Sequence, residues 1–289
     1  MKGLLRGIGY FLLYMVFTIV IQVALSFVII QIAAGIGITG QAEIEDFANK
    51  NILGMTIVSG ILTILFLYLI FKIPKKDIRN EWKLNSFAFR DILKTCVLTF
   101  SLSSVFSLLT LNADIENSRL IASSAEYYSS MVPFLGTVLM ILNLLVIAPI
   151  AEELALRGIV YTRIEKKSNH IVAIIVSAVL FGLMHFMAGG IILVAGTAIM
   201  GLVFGLLIYK YKSLWVCIIA HICANLPDFI YTKERMTSYG VKIGLICVFS
   251  VAFLAVLFWI FREKSADNKF DNSLEYKQFY RKAGSDHGI

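Results

Sequence analysis

Apolar residues fall into eight long runs separated by short polar segments. The runs cover about 5–34, 53–72, 91–111, 133–161, 171–188, 190–209, 213–230 and 241–261. A helix needs about 20 apolar residues to cross the hydrocarbon core of a bilayer. The pattern therefore predicts an all-α polytopic membrane protein, a bundle of about eight transmembrane helices. The first and fourth runs exceed what a bilayer requires and should tilt or project beyond it. Only "AGG" (188–190) separates the fifth and sixth runs, so a seven-helix count competes with eight.

Composition agrees. The chain is 58% hydrophobic and 16% charged, with a mean hydropathy of +0.82. Soluble domains are roughly 45–50% apolar and about 25% charged, so a soluble class is excluded. The basic start, Lys2 and Arg6, resembles a signal peptide, but the apolar stretch after it is much longer than a signal core. It reads as an uncleaved membrane helix. Three regions are expected: helices one to three with their loops (1–132), a core (133–262) and a polar tail (263–289). Cys96, Cys217, Cys223 and Cys247 lie in apolar runs without CxxC spacing, which disfavours a disulfide framework or a cysteine metal site. Gly201-x-x-x-Gly205, with Gly196 nearby, predicts close helix packing.

Charge placement sets the orientation. Basic residues crowd into the first residues, 72–94, 163–167, 210–212 and the tail; few lie in the alternate loops, whose connectors 35–52 and 112–132 are acidic or neutral. Cytoplasmic loops carry the excess of Lys and Arg. Both termini are therefore expected in the cytoplasm, in a multi-pass protein of the cell membrane. The Lys-, Ile- and Asn-rich composition suggests a bacterium. Trp82, Tyr209, Tyr211 and Trp215 flank helices, as rings at a bilayer interface do.

A few polar groups interrupt the apolar runs: Glu152, Glu153 and Arg157 in the fourth, His185 in the fifth, His221 and Asn225 in the seventh. Ionisable groups at membrane depth are costly and mark function by default. Glu153 and Arg157 are i,i+4 neighbours, as are Phe181 and His185, and His221 and Asn225, so each helix carries its polar groups on a narrow stripe. Depths counted along the helices let the stripes meet in one pocket opening to the cytoplasm. Pro149, one turn before Glu152, can kink its helix and admit water. A carboxylate can take a proton from water, imidazole can pass one, and an amide can steady an oxyanion. This is a hydrolase constellation. Glu152, His185 and His221 are also acceptable zinc ligands, although HExxH is absent. A structural Glu153–Arg157 ion pair, or an ion or proton pathway, are the competing readings.

The three stripes resemble a known set. "EELALRG" (152–158), "FGLMH" (181–185) and "HICAN" (221–225) are similar to the EExxxR, FxxxH and HxxxN motifs of the CPBP family, the CAAX proteases and bacteriocin-processing (Abi) membrane proteins. The matched core runs from about 133 to 230. The resemblance implies an eight-helix intramembrane endopeptidase that hydrolyses a membrane-associated protein or peptide. By that resemblance Glu152 activates water, Glu153 assists and Arg157 orients; His185 and His221 flank the water and Asn225 completes an oxyanion site. The family is historically classed with metalloproteases. A metal-free glutamate mechanism is expected here, with zinc on Glu152, His185 and His221 as the alternative. Leu156 stands where an aromatic residue is common, which predicts altered packing. The resemblance also admits a non-catalytic scaffold or regulator of another membrane protein, or a bacteriocin self-immunity protein. Partners are thus the lipid bilayer and a membrane-associated substrate, with no nucleic acid.

Overall fold

The computed structural model describes residues 2–111, 116–232 and 235–263. The polar tail from 264 onward and residues 112–115 of the second connector lie outside the described residues. Among those described, the chain is a bundle of helices with no strand. Helix α1 is Lys2–Gly35, α2 Gln41–Lys50, α3 Ile52–Lys72, α4 Ile78–Glu81, α5 Phe89–Thr110 and α6 Glu116–Met131. Helix α7 is Leu135–Glu165, α8 His170–Leu183, α9 Phe186–Tyr211, α10 Leu214–Asn225, α11 Pro227–Ile230 and α12 Tyr239–Arg262.

Each of the eight apolar runs coincides with a helix. Six of these (α1, α3, α5, α7, α9 and α12) are long and apolar enough to cross a membrane. The segments His170–Leu183 and Leu214–Ile230 are shorter. The division at "AGG" is real: Gly189 and Gly190 leave helical geometry, and Gly190 takes φ +60° with ψ −155°, a combination that only glycine adopts without strain. The helices α2 and α6 were not anticipated. They occupy the connectors read as loops, where an amphipathic pattern is diluted by polar residues. Ser124 ties α6 to the start of α3, donating to Lys50 O at 2.6 Å and accepting from Leu53 N at 3.2 Å.

The basic segments gather at one end. The stretch after α3 lies against the end of α7 and the α9–α10 turn: Lys83 pairs with Glu165, Arg163 with Glu81 at 2.7 Å, and Ser213 donates to Asn85 O at 2.6 Å. Beside them Lys94, only 3% exposed, pairs with Glu263, and Lys210 donates to the Glu263 carbonyl. Trp82 departs from its expected interfacial place. It is buried, edge-on to Phe71 at 5.8 Å, and lies beside Gly158, where an added Cβ would meet its ring at an ordinary contact distance of 3.5 Å.

The main core joins α1, α3, α5, α7, α8, α9, α10 and α12. Small residues permit the tightest crossings. A Cβ on Gly201 would lie 2.9 Å from Ala178 Cα, and one on Gly205 would lie 3.0 Å from Ile174, so the GxxxG face packs α9 against α8 as expected. The long α7 is buried along its second half, where Leu154 to Thr162 are all closed to solvent. Two stretches of it, Asn143–Ile147 and Leu154–Tyr161, are wound as wider π-helix, a feature frequent at functional sites.

Candidate active site

Helix α7 carries Glu152 and Glu153 between its two wide stretches. The two carboxyls face different environments. Glu153 is fully buried, and its Oε1 accepts from Arg157 Nη1 at 2.9 Å and from His221 Nδ1 at 2.9 Å. Arg157, equally buried, also donates through Nη2 to Gly201 O at 3.0 Å. Its guanidinium lies 4.6 Å from the Phe181 ring centre and 5.1 Å from that of Phe204. A cation is tolerable here because a carboxylate, a carbonyl and two aromatic faces replace its water.

Glu152 is partly exposed, and its Oε2 has no hydrogen-bond partner among the described residues. That oxygen lies 3.8 Å from His221 Nε2 and 4.0 Å from His185 Nε2. Both distances exceed a direct hydrogen bond.

The far ring nitrogens fix the tautomers. His185 sits at the break between α8 and α9, with φ −90° and ψ 0°, and its Nδ1 lies 2.8 Å from Phe181 O. A carbonyl can only accept, so Nδ1 carries the hydrogen. His221 Nδ1 likewise donates to Glu153. Each imidazole thus presents Nε2 toward Glu152. Phe204 stacks on His221 at 5.1 Å, and Phe181 meets the rings of His185 and His221 edge-on at 5.0 and 5.5 Å.

Of the six residues expected at the site, Glu152, Glu153, Arg157, His185 and His221 form one cluster. Asn225, one turn beyond His221, donates instead to Leu144 O at 2.7 Å, on the wide stretch before Pro149. Leu156 is fully buried in the core. Two contributors were missed. Gly201 was read as a packing residue, which it is, but its carbonyl also receives Arg157; Phe204 is apolar and one of many. Neither has a signal that sequence spacing could supply.

The donor set of Glu152, His185 and His221 was tested for zinc. Ligands about 2.0–2.1 Å from a tetrahedral ion lie roughly 3.3 Å apart. Separations of 3.8 and 4.0 Å are too wide, and among the described residues no three such groups are placed to hold a metal ion.

Comparison with known proteins points the same way as the motifs. Residues 134–227 match the family described as Type II CAAX prenyl endopeptidase Rce1-like. The chain is 26% identical over 239 residues to a Bacillus subtilis protein named "Putative membrane peptidase YdiL", covering 75% of this chain and 90% of the relative. No solved structure matches. The matched segment holds all six motif residues, and its cluster is the one just described. Residues 134–227 are thus similar to the Rce1-like family, which is consistent with the CPBP family that the motifs resemble.

Proposed function

We propose that the protein is an intramembrane endopeptidase in which Glu152 activates a water molecule. One observation carries this reading: a buried carboxylate oxygen without a partner, faced by two imidazole nitrogens whose tautomers are fixed from behind. The likeness to a protein named as a membrane peptidase supports it.

The chemistry follows from the geometry. Water held at this point gives one proton to Glu152 as its oxygen attacks the scissile carbonyl carbon, and its second hydrogen is held by an imidazole Nε2. Glu152 then delivers its proton to the amide nitrogen, the C–N bond breaks, and an acid and an amine leave. With neutral imidazoles, Glu152, Glu153 and Arg157 sum to a formal charge of −1, so proton uptake by Glu152 neutralises the cluster. With a second proton on one histidine, its Nε2–H faces the same point and can donate to the developing oxyanion. Glu153 holds the His221 tautomer and Arg157 holds Glu153, so neither needs to touch substrate.

The end of the bundle where basic residues gather is the one that the positive-inside rule puts in the cytoplasm. The substrate class is a membrane-associated peptide or protein. The test is Glu152→Gln in proteoliposomes and in cells. Loss of both cleavage and cellular phenotype is expected; a phenotype that survives the loss of cleavage would assign the protein a scaffolding role instead.

A further inference from the structure

Asn225 reaches the site from a direction that its motif does not explain. In the stretch Asn143–Ile147 the backbone bonds run to the fifth residue, and Ala148 N donates to Asn143 O. The next carbonyl, that of Leu144, has lost its α-helical donor, Ala148, to Asn143. Its π-helical donor is residue 149, which is proline and has no N–H. A bare carbonyl at membrane depth has no bulk water to turn to. Asn225 Nδ2 donates to that oxygen at 2.7 Å. In the second π stretch a side chain again meets a backbone carbonyl, there from the same helix: Thr162 Oγ1 donates to Arg157 O at 3.0 Å.

We infer that Asn225 is a positioning residue: its amide replaces the hydrogen that Pro149 lacks and so fastens α10, which carries His221, to the wide turn that aims Glu152. The Leu144 oxygen is one turn before Pro149, and Pro149 is one turn before Glu152 and Glu153. His221 is one turn before Asn225 on α10. The bond therefore sets the spacing between the two elements whose side chains must meet at 3.8 Å.

The inference makes proline and asparagine a coupled pair. Pro149→Ala supplies an N–H at residue 149 and removes the need for Asn225. Asn225→Ala alone should lower the apparent Tm by about 2–4 °C and cut cleavage at least tenfold, mostly in kcat. In a Pro149→Ala background the same change should cost less than half as much in Tm and leave cleavage within about threefold of the Pro149→Ala parent. Equal losses of Tm in the two backgrounds, or a full loss of cleavage in a folded double variant, would overturn the inference and return Asn225 to direct contact with substrate. The cleavage arm rests on the proposed peptidase reading. The Tm cycle does not, so a chain that cleaves nothing still tests the coupling.

Discussion

The carboxylate of Glu153 and the imidazole of His221 are joined by a 2.9 Å hydrogen bond, and the same carboxylate oxygen takes Arg157. On the proposed reading the adjacent glutamates have separable duties, one structural and one chemical. Glu153→Gln leaves Arg157 as an uncompensated buried cation and should cost about 3–5 kcal/mol of stability. Glu152→Gln removes no hydrogen bond among the described residues and should leave the Tm nearly unchanged. It should lower cleavage by about 10²–10⁴-fold, the usual share of a general base. Thermal melts and cleavage assays on the two variants side by side check the division; a large Tm loss in Glu152→Gln would contradict it.

Gly201 serves both backbone packing and Arg157. Its absent Cβ would lie 2.9 Å from the Ala178 backbone, which cannot swing away as a side chain would. Gly201→Ala should cost about 1–3 kcal/mol and reduce activity as well, because the carbonyl that holds Arg157 must move. Gly196→Ala meets only the Phe106 ring, and its effect should be confined to stability.

The polar clasp at the basic end predicts a dependence on pH. A hydrogen bond from Lys94 holds the Glu263 carboxyl below the usual range of a glutamate. A carboxyl lowered on folding adds stability above its unfolded pKa, and the gain is lost as pH falls through the lowered value. Melts of the parent against Glu263→Gln should differ by about 2–4 °C at neutral pH and converge in acid. A difference that persists in acid would remove the clasp as the cause.

The gathering of basic segments at one end predicts their side of the membrane. Cysteine introduced at Lys76 should react with an impermeant thiol reagent from the cytoplasmic face only, and cysteine at Glu43, on α2, from the opposite face only. Reaction of both from one side would end this orientation.

A strong chelator should leave activity in place if Glu152 acts on water alone. Activity that vanished and returned only with zinc would instead require Glu152 and the two histidines to move closer than their present 3.8 and 4.0 Å.

What could be read from the sequence was whatever repeats with helical period. Length and apolar content marked the eight runs, and i,i+4 spacing placed Glu153 with Arg157. Spacing cannot report which carbonyl a side chain will find across the bundle. Asn225 and His221 share a face of α10, yet one goes to Leu144 and the other to Glu153. The π-helical winding of α7 decides this, and only Pro149 hinted at it. Trp82 shows the same limit: its place beside a helix end suggests an interface, and spacing cannot report that its ring packs on Phe71 inside the protein.

Helix α8 has 14 residues, which at 1.5 Å each gives about 21 Å of rise, well short of a hydrocarbon layer about 30 Å thick. Lipid facing this helix would have to shorten or splay to match it. The membrane itself then becomes a component of the mechanism. On the proposed reading, a locally thin bilayer would shorten the path of water to Glu152. Reconstitution in lipids of decreasing acyl length should raise the turnover rate, and long-chain lipids should slow it without unfolding the protein.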